Sequence, residues 1–251
     1  MSFAELMSKS KSRIILALDL TGPSLLDRAL KILDEVYPYV SAVKVNRHLS
    51  VPLNIEELSK LVHAIHDRGL LAIMDCKIND VGSTNKVMAE LFFHAGFDAL
   101  TASPFTGWKE GLEPVFNLAK DNSRGILVLV YMSHEGASEN YERLVLDRSS
   151  ISYKRMYEIF AEKALLWRAD GAIVGATRPR ILAEVKRLLK GKIPIYSPGI
   201  IVQGGSIEVS LKAGADYLIV GRAIVEAPNP SQVAANLNRL VEETLARLRG
   251  G

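Results

Sequence analysis

Gly125-Ile126-Leu127-Val128-Leu129-Val130-Tyr131 is apolar throughout, with a glycine at its start and a polar run over residues 133–150 beyond its end. A strand with one wet face alternates apolar and polar residues. An uninterrupted β-branched run instead needs cover on both faces, the condition of a strand in a parallel sheet wrapped by helices.

The same strand-loop-helix unit recurs on both sides of this run. Upstream lie strands over residues 13–20 (RIILALDL), 42–46, 70–77 and 99–102. Their helices are predicted over residues 24–37 with Ser24 as cap, then 55–68, 84–95 and 109–120. Downstream, a helix over 153–168 is followed by strands at 171–175, 193–196 and 216–220, with helices at 179–189, 206–213 and 230–248. Eight units with no break in composition predict one α/β domain over residues 1–251, a closed (β/α)8 TIM barrel. An open doubly wound sheet fits less well, because the count is eight and no G-x-G-x-x-G turn follows the first strand.

Composition narrows the partners. With 48% hydrophobic residues and a net charge of +3 spread along the chain, there is material for a core and no basic block for nucleic acid. No apolar run approaches the roughly 18 residues needed to span a bilayer. The start Met1-Ser2-Phe3-Ala4-Glu5 lacks the order of a signal peptide, so a cytoplasmic protein is expected. Cys76 is the single cysteine, which excludes an intramolecular disulfide and a multi-cysteine metal site. The five histidines show no metal-ligand spacing, and no G-x-S-x-G elbow is present, so no metal is expected.

Barrel active sites are built at the carboxyl ends of the strands. That rule collects Asp19, Lys44, Asp75, Lys77, Ser103, Ser133, Gln203, Gly221 and Arg222 into one neighbourhood. The densest stretch is Asp75-Cys76-Lys77-Ile78-Asn79-Asp80. Asp75 and Lys77 are two apart and share a face of an extended segment, Cys76 takes the helix-packed face, and Asp80 falls beyond the strand. Taken alone, D-x-K-x-x-D also suits a solvated strand end. Lys44 between Val43 and Val45 is harder to dismiss, since a buried lysine needs an anion, for which Asp19 and Asp75 are candidates. Gly221-Arg222 follows the eighth strand, where barrels commonly hold phosphate, with Ser197-Pro198-Gly199 as the neighbouring loop. A phosphate monoester is the ligand these positions favour.

Together these motifs resemble the orotidine 5'-monophosphate decarboxylase family, in its compact archaeal form, over essentially the full length. The resemblance rests on LALD ending at Asp19, VKV around Lys44, D-C-K-I-N-D with Thr84, the loop Met132-Ser133-His134-Glu135-Gly136-Ala137, Ser197-Pro198-Gly199-Ile200 with Gln203, and Val220-Gly221-Arg222. It implies cofactor-independent decarboxylation of orotidine 5'-monophosphate to uridine 5'-monophosphate. Lys44, Asp75, Lys77 and Asp80 would form an alternating charged array, with Lys77 protonating a C6 carbanion. Asp19 and Lys44 would hold ribose hydroxyls, Ser133 the pyrimidine edge, and Gln203 both base and phosphate. Gly221 and Arg222 would bind the phosphate, with Pro198 among the substrate contacts. The family pattern further implies a homodimer in which Asp80 and Thr84 enter the partner's site. The related magnesium-dependent sugar-phosphate decarboxylases and hexulose-phosphate synthases share D-x-K-x-x-D, but they typically carry glutamate where this chain has Lys44. One departure from the family is Ser103-Pro104 after the fourth strand, where many members have histidine.

Overall fold

The computed structural model describes residues 1–147 and 151–250. The end of the polar run at 148–150 and the last residue of the 1–251 domain therefore lie outside the described residues. In chain order the elements begin with α1 (Phe3–Ser8), β1 (Ile14–Leu18), α2 (Leu25–Val36), β2 (Ala42–Asn46), α3 (Arg47–Ser50) and α4 (Ile55–Asp67). They continue with β3 (Leu71–Ile78), α5 (Gly82–His94), β4 (Ala99–Ala102), α6 (Glu113–Asp121), β5 (Gly125–Tyr131) and α7 (Ser138–Tyr141). Then come β6 (Leu144–Asp147), β7 (Ser152–Arg155), α8 (Met156–Leu166), β8 (Gly171–Val174), α9 (Pro179–Leu189) and β9 (Ile195–Pro198). The last are α10 (Ile207–Lys212), β10 (Tyr217–Val220), α11 (Arg222–Val225) and α12 (Pro230–Gly250).

Strands β1-β10-β9-β8-β5-β4-β3-β2 form a closed barrel, parallel at every pairing. Alternation along each strand divides the apolar side chains into two cores. Val43, Val45, Met74, Cys76, Val128 and Val130 face outward under the helices. Ile15, Ala17, Ile73, Leu127, Leu129, Ile173 and Ile219 fill the barrel. The unbroken apolarity of β5 follows, since all seven of its residues are buried.

The amino-terminal end of the barrel is stoppered by α1, which the sequence reading did not anticipate. Ser2 and Glu5 form a reciprocal cap, and Phe3 and Met7 enter the barrel. The Tyr217 hydroxyl donates to the Met7 carbonyl at 2.8 Å, and the Tyr196 ring stacks on Tyr217 at 4.9 Å. Gly125 opens β5 because a Cβ there would lie 2.7 Å from Phe3.

Three further expectations are corrected. The helix foreseen from residue 153 starts at Met156, because 152–155 pair as β7 with β6 in an antiparallel ribbon. Lys154 fixes the ribbon by bonding Asp147 at 2.9 Å and Glu162 at 2.7 Å. The helix foreseen from 109 starts at Glu113, since Lys109 and Glu110 have non-helical backbone angles in an irregular turn, Trp108–Leu112. Ser24 makes no side-chain cap. It sits in the left-handed region, and Arg28 closes the turn by donating to the Thr21 carbonyl at 2.6 Å.

Candidate active site

At the carboxyl end of the barrel, alternation brings charge inward from adjacent strands. Ala17 pairs with Lys44 and Asn46 with Asp75 across β1, β2 and β3, which stacks the polar ends of these strands side by side. The Lys44 ammonium lies 2.7 Å from Asp75 Oδ2 and 3.9 Å from Asp19 Oδ1, so both partners anticipated for it are in place. Lys77 Nζ stands 2.7 Å from Asp75 Oδ1, which also accepts from the Thr101 hydroxyl at 2.9 Å. Asn46 donates to Asp19 Oδ1 at 2.5 Å.

Burial by itself would raise the Asp75 pKa, but the ammoniums of Lys44 and Lys77 outweigh it and hold the carboxyl well below its ordinary range. Lys44 mirrors this. Its burial disfavours charge, yet Asp75 and Asp19 leave its pKa raised. A buried charge cluster of this kind persists only when every member is paired.

β3 reaches this geometry through a bulge. Met74 pairs with Leu100 and Ile78 with Ala102, so β3 travels a longer path than β4 between the same rungs. Within it Lys77 has φ 47°, in the left-handed region. For a residue with a Cβ this costs about 1–2 kcal/mol, and such strain gathers where a side chain must be aimed. Alternation still holds through the motif, because Cys76 packs into the outer core. Burial, with Asp75 close by, pushes its thiol up to about 12.

The cluster forms one wall of a cavity of about 260 Å³. Its rim brings together Asp19, Ser133, His134, Pro198, Gln203, Gly221 and Arg222 with Lys44, Asp75 and Lys77. Gly199 has φ +93°, and a Cβ there would meet the Gln203 side chain and Ser133 Cβ, each at 2.9 Å. Glycine is what allows these loops to close on each other. Lys44, Lys77 and Arg222 line the space together with Asp19 and Asp75, a formal excess of one positive charge that suits an anion.

Asp80 and Thr84 do not line this cavity. They border a neighbouring depression with Arg47, Lys77, Asn85 and Ser103. Asn85 holds Asp80 by both backbone groups: its Oδ1 accepts the Asp80 N–H at 2.9 Å and its Nδ2 donates to the Asp80 carbonyl at 2.5 Å. The same amide reaches the Gly111 carbonyl at 3.0 Å, and the Thr106 hydroxyl adds a second bond to the Asp80 carbonyl at 2.8 Å. Thr101, Asn46 and Asn85 escaped the sequence reading. The available signal was a lone polar residue in the apolar β4 run, an amide at the end of β2, and an asparagine at a buried helix position.

Among the described residues, no group of three or more His, Cys, Asp or Glu side chains is placed to hold a metal ion. The model of the Orotidine 5'-phosphate decarboxylase / HUMPS family matches residues 12–237. This chain belongs to that family. Within it, the chain is 36% identical over 225 residues to the orotidine 5'-phosphate decarboxylase of Pyrococcus abyssi, covering 89% of this chain and 96% of that one. It is 32% identical over 237 residues to that of Methanosarcina acetivorans, covering 94% and 96%. Among solved structures, the Methanocaldococcus jannaschii orotidine 5'-monophosphate decarboxylase complexed with inhibitor BMP superposes with a TM-score of 0.77 at 28% identity, covering 92% of this chain and 98% of that one. For this decarboxylase / HUMPS family member, the fold and the family expected from the sequence both stand.

Proposed function

We propose that the chain converts orotidine 5'-monophosphate to uridine 5'-monophosphate without a cofactor. The observation that carries this reading is Asp75, clasped between two ammoniums inside a cavity whose far rim offers Gly221, Arg222 and Gln203 to a phosphate. The C6–carboxylate bond breaks with its electron pair left on C6, in an sp2 orbital not conjugated with the ring carbonyls. No electron sink is at hand, so the charge must be stabilised by a fixed cation. The Lys77 ammonium supplies it and then gives its proton to C6 as carbon dioxide leaves; the neutral amine regains a proton from solvent. Asp75 keeps that ammonium in place.

Asp75 also faces the departing carboxylate. Two like charges at about 4 Å with an effective dielectric near 20 repel by on the order of 4 kcal/mol, roughly a thousandfold in rate if relieved on the way to the transition state. The repulsion helps only when the phosphate end is anchored, which gives Gly221 and Arg222 a share in catalysis as well as binding. Asp19 and Lys44 take ribose hydroxyls in this reading, Ser133 the pyrimidine edge, and Pro198 with Gln203 close over the ligand.

Asp80 and Thr84 serve the site of a second copy in a homodimer. Their place outside their own chain's cavity supports this, as does the exposed apolar skin of the same surface, Val81, Val87, Met88, Leu91 and Phe105. The magnesium-dependent sugar-phosphate chemistry is not favoured: Asp75 is engaged by Lys44 and Lys77, and the relatives named above are orotidylate decarboxylases. The test is the absorbance loss as orotidine 5'-monophosphate is consumed in excess chelator. Turnover is expected to continue undiminished, and absence of turnover, or its abolition by the chelator, would refute the reading.

A further inference from the structure

Lys77 is the side chain on which the proposed reaction turns, yet its backbone adopts a conformation that the chain by itself disfavours, φ 47° one residue before the end of β3. Something must hold it there. The peptide unit between Cys76 and Lys77 is gripped at both ends by side chains from the two neighbouring strands' regions. On the β4 side, the Lys77 N–H donates to Thr101 Oγ1 at 2.9 Å. On the β2 side, the guanidinium of Arg47, the residue that follows β2, donates to the Cys76 carbonyl at 2.6 Å.

The Thr101 hydroxyl does more than accept. Its own proton goes to Asp75 Oδ1 at 2.9 Å, the same oxygen that receives the Lys77 ammonium at 2.7 Å. One hydroxyl therefore ties the backbone of Lys77 to the carboxylate that its side chain touches. Thr101 is 2% exposed, so water does not compete for either bond. Buried groups bonded in this way have a definite orientation, because any rotation of the hydroxyl leaves a donor or acceptor unpaired.

We infer that Thr101, with Arg47 gripping the other end of the same peptide, is a positioning residue for the decarboxylation: the pair holds Lys77 in its left-handed conformation and so aims the ammonium at the reacting carbon. The inference rests on the reaction proposed above. Neither residue touches the phosphate-side groups Gln203, Gly221 and Arg222, so the effect belongs in turnover and not in binding. Misplacement of a reacting group by about 1 Å costs on the order of 10²-fold.

The test compares wild type with Thr101→Val, which keeps shape and removes the hydroxyl, Thr101→Ser, which restores it, and Arg47→Met, which releases the carbonyl end from an exposed position and spares the core. For Thr101→Val, kcat should fall about 10²-fold while KM and the Kd for uridine 5'-monophosphate stay within about twofold. Thr101→Ser should recover most of the loss, and Arg47→Met should lower kcat in the same direction by about tenfold. A kcat for both Thr101→Val and Arg47→Met near that of wild type, or a loss carried by KM, overturns the inference, and so does a serine variant no better than valine. Crystal structures of Thr101→Val and Arg47→Met read the geometry independently of the reaction. Lys77 should leave the left-handed region in Thr101→Val, and retention of φ near its present value with the Asp75 contact intact in both variants would refute the positioning role. Absence of turnover by wild type itself would instead strike the proposed reaction.

Discussion

Asp75 and Asp80 belong to one short motif and are held by opposite means. Asp75 is fixed through its carboxylate, which receives Lys44, Lys77 and Thr101 inside its own chain's cavity. Asp80 is fixed through its backbone, caged by Asn85 and Thr106, and among the described residues its exposed carboxylate takes only the adjacent Val81 N–H at 2.7 Å. The difference separates two tasks. A carboxylate ringed by cations uses its charge within its own chain's cavity, whereas a carboxylate on a clamped backbone presents its charge outward, which suits the cross-subunit role proposed for Asp80.

The largest effect expected from breaking the first arrangement is that of Lys77→Ala. It removes both the proposed carbanion-stabilising cation and the proposed proton donor, so kcat should fall by about 10⁴-fold or more, with circular dichroism unchanged. A variant within about tenfold of wild type would end the proposed role. The same substitution has a signature in acid. The depressed Asp75 pKa gives stability that is present above the unfolded carboxyl value of about 4 and is lost as pH falls toward the lower folded value. Removing Lys77 takes away one cause of the depression, so the loss begins sooner and the acid unfolding midpoint should move to higher pH.

The second arrangement is broken by Asp80→Ala, expected to cost about 10²-fold in kcat. Its decisive form is a mixture with Lys77→Ala. In the proposed homodimer, subunit exchange between the two inactive chains leaves half the dimers mixed, and each mixed dimer would hold one site with Lys77 from the Asp80→Ala chain and Asp80 from the other. About one quarter of wild-type activity should return. No recovery despite demonstrated exchange would mean that Asp75 and Asp80 serve the same chain and that the contrast between them is only one of packing.

Much of this was legible in the sequence for a physical reason. The inward residues of a parallel barrel are set by alternation, so Asp75, Lys77 and Lys44 could be placed on one face from spacing, and Cys76 on the other. What could not be read depends on contacts distant in the chain. The Thr101 hydroxyl matters only because β4 lies beside the β3 bulge, and a lone polar residue in Leu100-Thr101-Ala102 marks the position without naming its partners. Asn85 sits on a helix of weak amphipathic pattern, where a buried amide looks like any polar residue. The β6–β7 ribbon was lost in a polar run because its strands are four residues each and the ion pairs of Lys154 join residues well apart in the chain. The α1 stopper was missed because a six-residue segment at the start of a chain carries no period to detect.

Asn85→Ala sharpens the comparison at a smaller scale, since it loosens the backbone of Asp80 and leaves its carboxylate in place. It strands the Asp80 N–H and the Gly111 carbonyl in a site where Asn85 is 1% exposed. Leaving such groups unpaired costs about 1–3 kcal/mol, or about 2–12 °C in Tm for a chain of this size. Activity should fall by about tenfold, short of the loss in Asp80→Ala. A stable variant with full activity would show that Asp80 needs no cage.

Cys76 gives the smallest and cleanest test, because it sits between Asp75 and Lys77 and yet should do nothing. Its side chain belongs to the outer face of β3, buried beneath the helices, with its thiol pushed up to about 12. At pH 8 that lowers the thiolate fraction by about 10³-fold relative to a free cysteine, before any barrier to access is counted. The native protein should therefore fail to react with a thiol reagent over an hour at pH 8, and should react stoichiometrically in denaturant. Substitution by alanine should leave kcat unchanged and cost only the packing of one small side chain. Rapid modification of the native protein, with loss of activity blocked by uridine 5'-monophosphate, would mean that Cys76 faces the cavity. The alternation that places Asp75 and Lys77 there would then have failed within the motif, and with it the distinction between the carboxylate held by its charge and the one held by its backbone.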